Sequence, residues 1–153
     1  EYERNYVSDI KDGVYVIKSK VNENYNFDLQ YAGTRDGDNI QLWRGNGSGA
    51  QRFEFKYDQA SNTYVITNIN SKKAIDLAAA ATIDGSNIHQ WSSNNTCAQK
   101  WYLNKKDNGF YEIVSTCDDS YAIDLANARA TNGSNIHLWT RNYTDAQLWK
   151  ILK

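Results

Sequence analysis

The sequence contains no methionine, no proline and only two cysteines among its 153 residues. Two cysteines are too few to build a disulfide-dependent fold, and the sequence leaves open whether Cys97 and Cys117 pair with each other. No apolar run approaches the roughly 20 residues that a membrane-spanning helix needs, and no signal-peptide pattern opens the chain. Because translation starts with methionine, we expect a processed chain or a module of a longer protein.

A surplus of either charge is also missing. The chain has 17 basic and 18 acidic residues, a formal net charge of −1, and no run of lysine or arginine. This balance argues against nucleic acid or an anionic membrane as the main partner. The sequence also lacks a Gly-rich phosphate loop, a nucleophile elbow and a metal-ligand spacing, so we expect neither catalysis nor a cofactor or metal. Aromatic residues, by contrast, are abundant, with 5 Trp, 11 Tyr and 4 Phe.

One eight-residue segment occurs three times along the chain. Its copies read DGDNIQLW, DGSNIHQW and NGSNIHLW, and they end 48 residues apart at Trp43, Trp91 and Trp139. An aspartate between two apolar residues and a closing Gln-x-aromatic motif keep the same interval, and a fixed period of this kind marks a repeat architecture. No proline or Gly/Ser-rich tract separates the copies, so a single domain is expected. It comprises a lead-in at 1–11 and repeats at about 12–58, 61–107 and 108–153.

Each repeat is predicted to contain about four short strands. The segments YVIKS (15–19), YVITN (64–68) and YEIVS (111–115) alternate apolar and polar residues and are rich in β-branched and aromatic side chains. The segment LAAAAT (77–82) favours a helix by propensity, but the repeat register places it in a loop with a single helical turn. Three units are too few for a propeller. About twelve strands closed around a pseudo-threefold axis, an all-β β-trefoil, fit the pattern better.

These motifs together resemble the ricin B-chain lectins, also called R-type lectins or carbohydrate-binding modules of family 13. The resemblance covers the chain after its first ten residues and rests on three Gln-x-aromatic motifs in register. The first copy departs from the family, because Phe53 takes the place of the closing tryptophan. The resemblance implies a β-trefoil with three sugar sites, named α, β and γ along the chain.

The resemblance also implies which residues bind the sugar. An aspartate accepts hydrogen bonds from sugar hydroxyls, a flat aromatic covers the apolar face of the ring, and an asparagine amide completes the site. The family's asparagine usually precedes the closing glutamine, where this chain has Ala50, Ala98 and Ala146, so we propose an asparagine four residues upstream instead. The implied residues are Asp28, Gln41, Trp43 and Asn46 (α); Asp76, His89, Trp91 and Asn94 (β); and Asp124, His137, Trp139 and Asn142 (γ). Gln51, Gln99 and Gln147 stand behind the aspartates.

Structural interpretations compete at several positions. The aspartates have an alternative role as turn caps, and the closing glutamines have one in tying down their loops. The histidines are equivalent to Gln41, which is neither a good zinc ligand nor a base, so we expect them to be walls of the sites. Four matches to the glycosylation pattern, at Asn46, Asn94, Asn132 and Asn142, are expected to be accidents of composition. We assign Phe53, Trp101 and Trp149 to the core, and Asn39, Asn87 and Asn135 to turns.

The function implied is that of a secreted, non-catalytic lectin or carbohydrate-binding module, with ligands of the galactose, N-acetylgalactosamine or lactose type. Such a module suits the targeting domain of a larger glycoside hydrolase or toxin. A glycosidase needs two carboxylates about 5–9 Å apart, whereas each repeat of this chain has only one recurrent carboxylate. Two alternatives stay open: a module for xylan or arabinose-containing polysaccharides, and a β-trefoil protein-interaction or inhibitor domain. The α site diverges most from the other two, and we expect it to be weaker or altered.

Overall fold

Twelve β-strands and six single-turn 3-10 helices make up the computed structural model, which describes residues 2–153. Each repeat contributes four strands, so the predicted all-β fold with about twelve strands is confirmed. No helix within residues 2–153 is long and apolar enough to cross a membrane. The strands of the first repeat are β1 (Gly13–Ser19), β2 (Tyr25–Leu29), β3 (Ile40–Arg44) and β4 (Phe53–Asp58); those of the second are β5 (Thr63–Asn68), β6 (Ala74–Leu77), β7 (Ile88–Trp91) and β8 (Trp101–Lys105); those of the third are β9 (Tyr111–Ser115), β10 (Tyr121–Leu125), β11 (Ile136–Thr140) and β12 (Trp149–Leu152).

Six of the strands close into a barrel. Antiparallel pairing runs from β1 to β4, β5, β8, β9 and β12, and β12 pairs with β1 again. The remaining strands form three hairpins, β2–β3, β6–β7 and β10–β11, one in each repeat. Closing the ring leaves the barrel without free edges, and the hairpins carry the repeated aspartate and tryptophan.

The closing aromatics of the three repeats are fully buried, as predicted. Phe53, Trp101 and Trp149 are inaccessible to solvent. The indole Nε1 of Trp101 donates a hydrogen bond to the carbonyl oxygen of Ile75 at 3.2 Å, and that of Trp149 donates to the carbonyl oxygen of Ile123 at 3.1 Å. A buried indole needs such an acceptor, and here the acceptor lies on the hairpin strand directly before the repeated aspartate. The core therefore fixes the hairpins to the barrel.

The predicted turn asparagines make a ring that joins the three repeats. The side-chain amide of Asn39 donates to Asn135 at 2.9 Å, that of Asn87 donates to Asn39 at 2.8 Å, and that of Asn135 donates to Asn87 at 2.9 Å. Each amide uses one donor and one acceptor, so the ring closes on itself. The prediction of turn residues missed this role, because a contact between copies 48 residues apart cannot be read from one copy.

A disulfide links Cys97, at the end of the second repeat, to Cys117 in the third, across 20 residues of chain. Asp145 occupies the position of Cys97 in the next repeat, and it forms an ion pair with Lys20 at 3.2 Å. Successive repeats are thus fastened at corresponding junctions, once covalently and once by charge. The sequence left the cysteine pairing open, and the structure decides it.

Removal of this disulfide should lower the stability clearly. Closing a loop of this length stabilises a domain by about 3 kcal/mol, so the Cys97→Ser/Cys117→Ser variant should melt roughly 6–12 °C below the parent protein. The matched control is Asp145→Ala, whose exposed ion pair is worth about 1 kcal/mol or less. Melting curves followed by circular dichroism measure both effects. An equal decrease in melting temperature in the two variants would show that other contacts hold this junction and that the disulfide adds little stability.

The segment before β1 packs against the second and third repeats. The backbone nitrogen of Val7 donates to the carbonyl oxygen of Leu103 at 2.9 Å, and the ring of Tyr6 stacks on Tyr102 with centroids 4.2 Å apart. Arg4 pairs with Asp119 at 2.6 Å and holds the pKa of that carboxyl below its ordinary value. The lead-in is therefore part of the folded domain.

Candidate functional site

An equivalent cavity lies beside the hairpin of each repeat. The cavities measure about 470 Å³ in the first repeat, 370 Å³ in the second and 260 Å³ in the third. Every cavity is lined by all four residues predicted for its repeat, and by the 3-10 turn that follows the aspartate. We keep the names α, β and γ cavity for them. The closing glutamines are buried behind the lining.

The aspartate at the floor of each cavity is placed by strand register. Asp76 pairs with His89 across β6 and β7, and the Asp28–Gln41 and Asp124–His137 pairs are equivalent. Directly opposed residues on one face of a sheet lie close enough for their side chains to meet. One carboxylate oxygen of Asp76 lies 2.7 Å from Nε2 of His89. The corresponding distance is 3.0 Å for Asp28–Gln41 and 2.8 Å for Asp124–His137.

The second carboxylate oxygen is held by the closing glutamine. The amide nitrogen of Gln99 donates to Asp76 at 2.9 Å and to the carbonyl oxygen of Ser92 at 3.0 Å, while its amide oxygen accepts from the backbone nitrogen of Asn94 at 2.9 Å. One buried side chain thus fixes both the aspartate and the asparagine loop. Gln51 and Gln147 make the same three contacts in their repeats.

The predicted asparagines shape their own loop. The side-chain oxygen of Asn94 accepts hydrogen bonds from the backbone nitrogen of Thr96 at 3.2 Å and from its hydroxyl at 2.7 Å. Asn142 and Thr144 repeat both contacts, and Asn46 accepts from the nitrogen of Ser48. Such an Asx turn uses the oxygen and leaves the amide hydrogens with no acceptor within residues 2–153.

The glycosylation-like triplets have structural uses. In those starting at Asn94 and Asn142 the threonine hydroxyl donates to the asparagine oxygen, and in the one starting at Asn46 only the backbone nitrogen of Ser48 does. The triplet at Asn132 has a different structural use, since its side-chain oxygen accepts from the backbone nitrogen of Arg44 at 2.8 Å.

The repeated tryptophans present an open face to the cavities. Trp43, Trp91 and Trp139 are 38%, 40% and 39% exposed. In the β and γ cavities the histidine ring lies against the tryptophan, with ring centroids 5.4 and 5.2 Å apart. A half-exposed indole that lines the same cavity as a carboxylate provides a flat apolar platform near a strong hydrogen-bond acceptor.

The turn of the preceding repeat supports each tryptophan. Asp36 accepts hydrogen bonds from the backbone nitrogen and hydroxyl of Ser92, which follows Trp91, at 2.8 and 2.9 Å. The ammonium of Lys73 lies 2.9 Å from Asp36 and holds the pKa of that carboxyl below its ordinary value. Gly37 suits this turn, because its φ of +91° is a backbone conformation that residues with a Cβ rarely adopt. The sites are therefore built across repeat boundaries.

Sequence reasoning missed one conspicuous residue of the α cavity. Tyr31 lines that cavity and is 92% exposed. Its counterparts are Ala79 and Asn127, which line the β and γ cavities. The available signal was an aromatic residue in a loop position where the other two copies carry small side chains.

Residues 2–153 contain no cluster of histidine, cysteine or acidic side chains suited to a metal ion.

The chain itself supplies a control for the histidines. Because Gln41 donates to Asp28 as the histidine ring contacts Asp76, His89→Gln should keep both Asp76 oxygens in place, whereas His89→Ala should leave the carboxylate held by Gln99 alone. We expect ligand affinity at the β cavity to fall no more than about threefold in the first variant and about tenfold in the second, the loss of one hydrogen bond to a charged group. Titration of both variants measures this difference. Equal affinities would show that the ring does not position the carboxylate.

Comparison with known proteins gives the same fold. A family model described as ricin-type beta-trefoil lectin domain-like matches residues 49–139 and 98–153. The designed threefold-symmetric protein ThreeFoil is 27% identical, with a TM-score of 0.87 over 93% of this chain and 99% of its own. The ricin B-like lectin of Macrolepiota procera, solved with lactose, is 15% identical, with a TM-score of 0.80 over 96% and 99% of the two chains.

An exo-β-1,3-galactanase from Clostridium thermocellum is 24% identical, with a TM-score of 0.85, and the match spans 96% of this chain but 31% of that one. No curated protein sequence matches the chain. The structural matches confirm the predicted β-trefoil.

Proposed function

Since the chain belongs to the ricin-type β-trefoil lectin domain-like family, we propose that it binds carbohydrate through its three cavities and does not catalyse a reaction. One observation carries the proposal. Each cavity combines a fixed carboxylate, an exposed indole face and an asparagine loop, and the combination occurs three times. A protein-interaction domain would have no need for three equal sets of this kind.

The chemistry of a pyranose matches this combination. A sugar ring has an apolar face of C–H groups and a rim of hydroxyls. The indole of Trp91 covers the apolar face, and Asp76 accepts hydroxyl protons, because each of its oxygens has a lone pair beyond the one used by His89 or Gln99. Bonds of this charge-assisted kind contribute about 1.5–3 kcal/mol each.

Galactose, N-acetylgalactosamine and lactose are the proposed ligands. Support comes from the Macrolepiota procera lectin, which has the same fold and was solved with lactose, a galactose-containing disaccharide. A single shallow site of this type gives roughly millimolar affinity, about −4 kcal/mol. Three such sites on one domain raise the avidity for a branched or polymeric glycan by roughly 10²–10⁴ where the geometry permits.

The absence of catalysis is proposed from the carboxylates. Each cavity is lined by one aspartate and by no other acidic residue among residues 2–153, whereas a glycosidase uses two carboxylates on either side of the bond.

We also propose a secreted protein, because a disulfide such as Cys97–Cys117 persists in oxidising compartments. The galactanase match suits a targeting module within a larger enzyme.

Titration calorimetry against galactose, lactose, xylo-oligosaccharides and gluco-oligosaccharides tests the proposal. We expect saturable heat with galactose and lactose at millimolar concentration or below, and none with gluco-oligosaccharides. Binding of xylo-oligosaccharides alone would overturn the ligand class in favour of a xylan-binding module. If folded protein gives no binding heat with any of these sugars, the proposal of carbohydrate binding itself is overturned.

A further inference from the structure

The α cavity differs from the other two by one aromatic side chain. Tyr31 lies in the 3-10 turn Gln30–Ala32 that follows β2 and the aspartate. The equivalent turns of the second and third repeats place Ala79 and Asn127 there. All three residues have a left-handed backbone, with φ of 57°, 56° and 59°. Since alanine makes the same turn as tyrosine, the turn itself gives no reason for an aromatic residue.

Folding gives no reason for it either. The Tyr31 side chain is 92% exposed, and within residues 2–153 it makes no ring contact and its hydroxyl makes no hydrogen bond. A large aromatic residue at a positive φ is uncommon, and an exposed one stabilises no core. A side chain that costs stability and lines a cavity is best explained by contact with a ligand.

The space beside Tyr31 is larger than one site of the β or γ kind. The α cavity measures about 470 Å³, against 370 and 260 Å³ for the others. Trp43 and Tyr31 both line it, and no contact joins their rings, so they are separate platforms. Asp28 and Gln41 meet at 3.0 Å and supply the polar floor that the other cavities also have.

We infer that the α cavity is a site for an oligosaccharide, with a first sugar ring on Trp43 and Asp28 and a second ring against Tyr31. The β and γ cavities, which have Ala79 and Asn127 instead, take a single ring. This inference rests on the proposed function and adds a subsite to it. The α cavity thereby selects for chain length, while the other two select for the terminal sugar.

The test uses the full chain with the other sites removed. In an Asp76→Ala/Asp124→Ala background only the α cavity keeps its carboxylate. We expect lactose or β-1,3-linked galactobiose to bind this protein at least about fivefold more tightly than galactose. Adding Tyr31→Ala should weaken the disaccharide about three- to tenfold, the effect of one aromatic contact, and leave galactose within about twofold. Tyr31→Phe should behave like the parent.

A gain-of-function variant provides the matched control. In an Asp28→Ala/Asp124→Ala background, Ala79→Tyr should give the β cavity the same preference for the disaccharide. The inference is overturned if Tyr31→Ala affects galactose and disaccharide equally, or affects neither. It is also overturned if the α-only protein binds no sugar while the parent does. Failure of the parent protein to bind any sugar is a separate result and overturns the proposed function.

Discussion

Replacing both Asp76 and Asp124 with alanine should abolish measurable galactose binding at the β and γ cavities. Each carboxylate is expected to accept two hydroxyl protons, and two charge-assisted bonds of about 1.5–3 kcal/mol correspond to at least about a 100-fold loss of affinity. The α cavity keeps its carboxylate, Asp28. The number of galactose sites measured by calorimetry should therefore fall from three to one, and the remaining site is the α cavity.

Two further variants separate lost binding from lost structure. Asp76→Asn keeps the shape of the side chain but presents an NH₂ group where His89 or Gln99 now contacts an oxygen, and it should bind galactose as poorly as Asp76→Ala. Asp107→Ala removes an exposed carboxylate in the β8–β9 turn and should bind like the parent. If the aspartate variants retain full affinity while Asp107→Ala loses it, the carboxylates have been assigned wrongly.

Arg141→Ala should lower the free energy of unfolding by about 3–5 kcal/mol. Its guanidinium and the Glu112 carboxylate are completely buried and 2.9 Å apart. Glu112 also accepts from Asn104 at 2.6 Å, and Arg141 donates to the carbonyl oxygen of Glu3 in the lead-in. Removing the arginine leaves an unpaired buried carboxylate, and that isolated charge accounts for the large cost.

A double variant distinguishes the cost of an isolated charge from the value of the pair. Arg141→Met/Glu112→Leu leaves no buried charge, so urea denaturation should show it recovering most of the loss seen in Arg141→Ala. Arg129→Ala, at an exposed position of the same repeat, should change stability by less than about 0.5 kcal/mol. A double variant as unstable as the sum of its single variants would show that packing around Arg141, and not charge pairing, is what matters.

The period of the sequence made the fold and most of the site predictable. Because the copies keep one spacing, Asp76, His89 and Trp91 had to recur at equivalent places, and strand alternation predicted that Trp101 is buried, as it is. The register also predicted that LAAAAT forms no more than a single helical turn, because the equivalent segments of the other two repeats do not favour a helix. The structure forms it as Ala78–Ala80.

Contacts between repeats were beyond the reach of the sequence. Asp36 accepts a hydrogen bond from Ser92, 56 positions away, and neither segment has a sequence feature that predicts this contact. Gln90 stands where the other copies have leucine, and the structure buries it so that its amide holds the carbonyl oxygens of Gly33 and Arg35. The pairing of the buried Arg141 was equally hidden from the sequence, although its partner Glu112, on β9, lies in the same repeat. Deviations from the repeat were the informative positions, as Tyr31 also illustrates.

The central claim, that all three cavities bind sugar, is tested most directly by titrating ¹⁵N-labelled protein with lactose and following its five indole NH signals. Trp43, Trp91 and Trp139 line the cavities, whereas the Nε1 groups of Trp101 and Trp149 donate to carbonyl oxygens in the core. The account predicts saturable shifts of the first three signals and unmoved signals for the other two. Unchanged signals of Trp43, Trp91 and Trp139 at saturating lactose would contradict it.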